Sequence, residues 1–349
     1  MGLKILHSAD WHLGSSFRGF TAEQRDYLRR AQRELPEKIA DLCRGENCDL
    51  VLLAGDLLDG ACSPEILEVL CHAFARMEVP VLISPGNHDY LCSGSPWTEE
   101  VWPENVHIFR GNLSSVALPD LDCRVWGAGY RSMDCPALLE GFRAEGAETY
   151  QIGLLHGDPV QLNSPCCPVT AAQVRDSGLH YLALGHIHKT GSFRAGKTLC
   201  AWPGIPMGRG WDETGEKGVF IGEIGHKTEA SFVELDTPRF YRMDVDTDRE
   251  NPENCLPAQG NDHFYRVTLT GSGEAAPVDW SVRFPNLTLT DRREKPEELW
   301  KSSGEDTLEG LYFRLLREKM ENTDPETEDL IRQAAEISRK LLRGREVAL

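Results

Sequence analysis

Short apolar runs, each halted by a polar or glycine-bearing segment, dominate the first two thirds of the chain. Residues 3–6 run into Ser8-Ala9-Asp10-Trp11-His12, and residues 49–54 stop at Gly55-Asp56. Residues 79–84 stop at Pro85-Gly86-Asn87-His88-Asp89, residues 151–155 at His156, and residues 181–184 at Gly185-His186-Ile187-His188. Runs of this length and bounding read as buried strands. Between them, residues 21–44 place Leu28, Ala31, Leu35, Ile39 and Leu42 at helical spacing, with Pro36 predicting a break or a restart. Residues 64–77 read as a helix with proline in its first turn. Residues 217–224 and 230–235 read as hairpin strands. Strands that alternate with helices early and cluster later predict an α/β layered domain with mixed sheets.

The texture changes near Thr237-Pro238-Arg239. Residues 240–246, 263–270 and 282–290 read as half-buried strands of a small second domain. From Glu294 the chain is charged, and two amphipathic helices follow. One carries Leu308, Leu311, Tyr312, Leu315 and Leu316. The other opens at Asp324-Pro325, a good helix start, and carries Leu330, Ala334, Ile337 and Leu341. The expected division is 1–238, 239–295 and 296–349.

Composition narrows the function. In 349 residues, 40% hydrophobic and 26% charged side chains are ordinary for a globular protein and argue against wholesale disorder. A net charge of −18 disfavours a free-standing duplex-DNA binder held by a basic surface. It leaves room for an enzyme that touches nucleic acid at one site or borrows a partner's charge. The 11 cysteines include no C-x-x-C pair, so neither a disulfide framework nor a zinc ribbon is expected, and a reducing cytosol fits. The apolar start is too short for a signal peptide, and no run approaches the ~18 residues of a membrane span. A soluble, cytoplasmic protein without membrane contact is the expectation.

The chemistry lies at the strand ends. Asp10, His12, Asp56, Asn87, His88, His156, His186 and His188 each follow an apolar strand, where ligands of open α/β sheets bind. In extended backbone Asp10 and His12 share a face, as do His186 and His188. Gly55, Gly86 and Gly185 would permit the presenting turns. Alone, each is an ordinary turn or core residue. Together, imidazole, carboxylate and amide oxygen without thiolate suit Mn²⁺, Fe²⁺ or Zn²⁺. Eight such groups exceed one ion and suit two, the arrangement of phosphoester hydrolases.

With D-x-H, G-D, G-N-H-D, H-G and G-H-x-H in order, the chain resembles the calcineurin-like metallophosphoesterase superfamily. Gly55-Asp56-Leu57-Leu58-Asp59, Trp102-Pro103-Glu104-Asn105-Val106 and Trp202-Pro203-Gly204 look like its SbcD/YhaO-like branch of DNA repair exonucleases. The resemblance implies a four-layer αββα sandwich with a small α+β capping domain and C-terminal helices. It implies that Asp10, His12 and His188 hold one metal, that Asn87, His156 and His186 hold the other, and that Asp56 bridges them. It makes His88 the catalytic histidine, with Asp89 orienting its imidazole, and Mn²⁺ the usual working metal. It also implies a coiled-coil ATPase partner, SbcC-like or YhaN-like, docked on the C-terminal segment, and a homodimer.

An anionic substrate needs positive groups, and few stand near the motifs: Arg18, Lys189 and Arg209 are the candidate substrate-binding residues. Arg25, Arg29 and Arg33 share a helix face that suits either a DNA backbone or plain solvation. Trp11, Phe17, Trp97 and Trp102 suit either base stacking or packing. The expected function is a metal-dependent DNA exonuclease of DNA repair. The rivals are a phosphodiesterase of small nucleotides or phosphoesters and a non-catalytic scaffold.

Overall fold

A computed structural model describes residues 2–60, 62–99, 102–251, 254–256, 262–271, 284–293, 299–321 and 323–342. The chain begins β1 (Leu3–Ser8), α1 (Ala22–Gly45), β2 (Leu50–Leu53), α2 (Pro64–Met77), β3 (Val81–Ile83), the single turn α3 (Pro96–Glu99) and β4 (Val106–Ile108). It continues β5 (Ser114–Leu118), β6 (Cys123–Gly127), β7 (Tyr150–His156), α4 (Ala171–Asp176) and β8 (Tyr181–Gly185). Then come β9 (Gly191–Ala195), β10 (Thr198–Trp202), β11 (Gly218–Ile224) and β12 (Glu229–Glu234).

Two six-stranded sheets result, ordered β12-β11-β1-β2-β3-β4 and β5-β6-β7-β8-β10-β9. Strands β1 to β4 are mutually parallel, as are β6, β7, β8 and β10. The register puts Ser8 beside Leu53 and Leu53 beside Ile83, so three strands end level. In the other sheet His156 lies beside Gly185.

Alternation along each strand builds the layers. In β2, Val51 and Leu53 join Leu28, Leu35 and Ile39 of α1 and Leu70 and Phe74 of α2. Leu50 and Leu52 turn the other way, to Val125, Ile152, Leu154 and Ala183 of the second sheet. Leu155, Leu182 and Leu184 then face Val174 of α4. The order is helix, sheet, sheet, helix, the αββα sandwich expected.

Helix α1 runs unbroken through Pro36, against the expected break. Pro36 is buried on the face that packs on the sheet, and that burial outweighs the ~3 kcal/mol an interior proline costs. Strands β4, β5, β6, β9 and β10 were not legible as apolar runs. β5 and β9 are sheet edges with no fully buried position, and β6 alternates buried with half-buried residues. All eleven cysteines are free thiols. Among the described residues, no helix is long and apolar enough to cross a membrane.

The chain divides into two compact units, Met1–Arg242 with Gly260–Tyr265, and Met243–Gln259 with Arg266–Leu349. A third sheet, β13-β14-β15, is formed by β13 (Phe240–Asp246), β14 (Phe264–Thr270) and β15 (Leu287–Asp291). Positions 282 and 283 of the expected third strand, and 294–298 of the charged stretch, lie outside the described residues. The second unit carries α5 (Leu308–Met320) and α6 (Pro325–Leu342). Thr307 caps α5 by accepting the Gly310 N–H, and Asp324 accepts the N–H groups of Glu326 and Thr327. Leu308, Leu311, Leu315, Leu330 and Leu341 of these helices are exposed.

His7 of β1 is fully buried between the sheets. Its ring nitrogens meet the Tyr181 hydroxyl at 2.9 Å and the Leu184 carbonyl at 3.0 Å. Burial pushes its pKa down to about 3. The unfolded chain therefore takes up a proton near pH 6.5 that the folded chain refuses. Stability is full above pH 6.5 and falls by ~1.4 kcal/mol per pH unit as pH drops toward 3. Urea midpoints at pH 7 and pH 5 should separate less in His7→Gln than in the unaltered protein.

Candidate metal centre

Every strand-end residue named from sequence, except His88 on the rim, lies at one common edge and is buried or half-buried. β1 delivers Asp10 and His12, β2 delivers Asp56, and β3 delivers Asn87 and His88. From the second sheet, β7 ends in His156, and His186 and His188 follow β8. The backbone does this differently from the extended pairs expected. Asp10, His12, Asp56 and His186 all have left-handed φ, at 55°, 46°, 52° and 86°. The loops turn sharply at the ligands themselves, a strained conformation for side-chain-bearing residues.

The three glycines divide in role. Gly55 has φ 86°, as a turn glycine should. Gly86 and Gly185 are needed for closeness. A Cβ on Gly86 would sit 2.3 Å from Asp56 Oδ1, and one on Gly185 would sit 2.0 Å from the Ala54 carbonyl oxygen.

The side chains fall into two groups that share Asp56. In the first, His12 Nε2 and His188 Nε2 are 3.2 Å apart, and Asp10, His12 and His188 offer ligand atoms within 4.8 Å of one another. In the second, Asn87 Oδ1 lies 2.9 Å from His156 Nε2 and 3.2 Å from His186 Nδ1. Asp56 Oδ2 stands 3.4 Å from His156 Nε2 and 3.9 Å from His12 Nε2. Asp56, Asp10 and His156 form a further group within 4.8 Å.

These residues fit metal ions. His156 donates Nδ1–H to the Ala54 carbonyl at 2.8 Å, and His188 donates Nδ1–H to Glu213 at 2.8 Å. Both rings then turn Nε2 toward the group, the way metal-bound histidines are held. Two imidazole nitrogens facing each other at 3.2 Å beside two buried carboxylates make a donor set that wants a cation. His12, Asp10, Asp56, Asn87, His156, His186 and His188 are the residues that would hold it.

The electrostatics reflect the crowding. Burial raises the pKa of Asp10. Burial would raise Asp56 too, but His156 beside it holds its carboxyl well below the ordinary range. Burial pushes His12 and His186 down to about 4. Those two imidazoles are thus neutral and able to coordinate.

Asp89 does not orient His88. Its buried carboxylate accepts the N–H groups of Gly86 at 2.7 Å, Leu57 at 2.8 Å, Asp56 at 3.2 Å and Leu58 at 3.3 Å, tying the second and third loops together. A carboxylate beside four converging amides is drawn to them rather than to a half-exposed ring. The partner of His88 is Asp59, whose Oδ1 lies 3.2 Å from His88 Nδ1. Asp59 raises the His88 pKa, and His12 and His88 hold Asp59 far down. Asp59 closes the Gly55-Asp56-Leu57-Leu58-Asp59 motif, without a role expected for it. The signal was there: a carboxylate three residues beyond Asp56.

Glu213 was missed altogether, because it follows no strand. Besides His188 it binds Arg209, from Oε1 to the guanidinium at 2.7 Å and from Oε2 to the backbone N–H at 2.8 Å. Burial would raise its pKa, but His188 and Arg209 bring it down to about 2. Arg209 is thus tied beside His188, at 3.4 Å from its Nδ1. Arg18 and Lys189 are exposed, and among the described residues no ion pair holds them. Trp11, Phe17 and Trp97 are core side chains, which removes them as stacking platforms. Gln32 of α1 steadies the first loop by donating to the His12 carbonyl at 2.8 Å. Glu213→Gln should lower Mn²⁺ affinity ~10–100-fold, since the amide holds His188 less firmly. A manganese titration of activity would show it, with turnover at saturation changed far less.

The model for calcineurin-like phosphoesterases matches residues 3–190. The chain belongs to the calcineurin-like phosphoesterase family. It is a metal-binding hydrolase of ester bonds. Two relatives come from Bacillus subtilis strain 168. The uncharacterized metallophosphoesterase YhaO is 29% identical over 330 residues, covering 85% of this chain and 78% of that one. The SbcD polypeptide of nuclease SbcCD is 25% identical over 281 residues, covering 67% and 69%. These relatives put the chain in the SbcD/YhaO-like branch. A dimetal phosphatase from Danio rerio overlays 66% of this chain and 98% of its own at 12% identity, with a TM-score of 0.45.

Proposed function

We propose that the chain is a manganese-dependent DNA nuclease, an exonuclease of DNA repair, that works with an SbcC-like or YhaN-like coiled-coil ATPase. The observation that carries the chemistry is the pair of ligand groups joined at Asp56. What supports nucleic acid as substrate is the similarity to the SbcD polypeptide of nuclease SbcCD. The ligand assignment follows the two groups: Asp10, His12 and His188 for one ion, Asn87, His156 and His186 for the other, Asp56 for both. When bound, two divalent ions supply charge neutralisation at the phosphate oxygens and acidify a water to near neutrality.

The chain's own residues do the rest. Asp59 holds His88 by Nδ1, so Nε2 is the atom that gives a proton to the leaving oxygen. The side chain of His88 is 43% exposed, which lets a polymer reach it. Arg18 and Lys189 would meet flanking phosphates, and Arg209 acts mainly by fixing Glu213. The division into a catalytic part at 1–238, a cap at 239–295 and a docking tail at 296–349 belongs to the same proposal, as does a homodimer. The exposed leucines of α5 and α6 are the face an ATPase coiled coil would cover. A partner with a basic surface would also offset the −18 charge.

The test is incubation with Mn²⁺, labelled DNA and bis-p-nitrophenyl phosphate, with and without the ATPase. DNA shortening that His88→Ala abolishes is the expected result. Turnover of the small ester with DNA left whole in every mixture would sink the nuclease reading and leave a small-molecule phosphodiesterase.

A further inference from the structure

His88 and Asp89 form part of the wall of a cavity of about 410 Å³. That volume lies within the ~300–1,000 Å³ of small-molecule sites. Leu67, Tyr90 and Pro96 supply its apolar surface, Leu58 lies fully buried behind it, and Glu99 lies at its edge. Among the described residues no lysine or arginine lines it. The Asp89 carboxylate is spent on backbone amides, and Glu99 accepts the Gly94 N–H at 2.5 Å.

With no lysine or arginine described in its wall, and with its imidazole, His88, already held by Asp59, the cavity is poorly suited to a phosphate. It suits an uncharged, flat group that can lie against Tyr90, Leu67 and Pro96. In a nucleic acid diester that description fits the base and nothing else. The position decides which base. The cavity shares His88 with the metal centre, and His88 stands on the side of the leaving oxygen. We infer that this cavity receives the nucleobase of the nucleotide on the leaving side of the scissile phosphate. The inference rests on the phosphodiesterase reading above. Contact is by stacking and apolar edges, so the subsite takes any base.

The test uses adenosine as the probe and the full chain. Adenosine should shift the leucine methyl resonances of Leu58 and Leu67 and should inhibit bis-p-nitrophenyl phosphate hydrolysis competitively. Leu67→Trp fills the cavity and should raise KM for thymidylyl-thymidine at least tenfold, with kcat changed less than threefold. Val69→Trp adds the same bulk in the groove beside Arg30 and Arg33 and should change neither. Unmoved Leu58 and Leu67 methyls at millimolar adenosine overturn the inference, whatever the variants do. So does an unchanged KM in a folded Leu67→Trp protein. Loss of the nuclease reading looks different: DNA and the dinucleotide stay whole, while adenosine still moves the two leucines and still inhibits hydrolysis of the small ester.

Discussion

Asp56→Asn should reduce kcat/KM for bis-p-nitrophenyl phosphate with Mn²⁺ by ~10³-fold or more, equivalent to ~4 kcal/mol of transition-state stabilisation. The two ligand groups meet at this carboxylate, which is buried and stands within 4 Å of both His156 and His12. Asparagine keeps the shape. Its Oδ1 still accepts the His88 N–H, which donates to Asp56 at 2.8 Å. What it loses is the charge that makes one oxygen pair attractive to two cations. Bound manganese, measured by elemental analysis after gel filtration, should fall from two per chain to one or fewer. The melting temperature should stay within a few degrees, because asparagine keeps the His88 hydrogen bond and is freed of the repulsion from Asp10 but loses the attraction of His156. Full turnover with two ions retained would show that Asp56 is only a loop residue.

Gly185→Ala is the largest expected effect on stability. The new methyl would stand 2.0 Å from the Ala54 carbonyl oxygen and 3.0 Å from the Ala9 Cβ. Neither neighbour can yield, since Ala54 follows β2 and its oxygen also accepts from His156. The two sheets must part where their loops meet, at a cost of ~3 kcal/mol or more. His186 would move with the strand end, so activity should fall as well. Gly45→Ala is the matched control. Its Cβ meets nothing within 4 Å, and the position is helical, so the change should be neutral or stabilising by ~0.5–1 kcal/mol. Urea unfolding midpoints of the two variants decide it.

The parts of this protein that sequence revealed are those where burial on both faces writes an apolar run. β1, β2, β3, β7 and β8 are of that kind, and their ends carry the candidate ligands. Edge strands such as β5 and β9 leave no such trace. Helix α1 was legible by its leucine spacing, but the tolerance for Pro36 came from tertiary burial, which no local rule contains. At the site, residue types and order picked out the side chains that the structure brings together. Their convergence by left-handed turns was not legible, because Asp and His rarely adopt them without a surrounding fold to impose them. Asp59 and Glu213 escaped because each acts through a histidine, and such partners are set by geometry. Asp89 was misread because adjacency in sequence to His88 is not adjacency of side chains.

Four ligand-bearing positions hold left-handed backbone, at ~1–3 kcal/mol for a strained residue, and two of them also bury a carboxylate. Evolution tolerates that tension only while the chemistry is wanted. Let selection for hydrolysis lapse, and drift toward asparagine or glycine at Asp10 and Asp56 would yield a hardier, inert descendant. An unusually heat-resistant homologue lacking those two acids would thus be a retired enzyme, kept for whatever its remaining surfaces can hold.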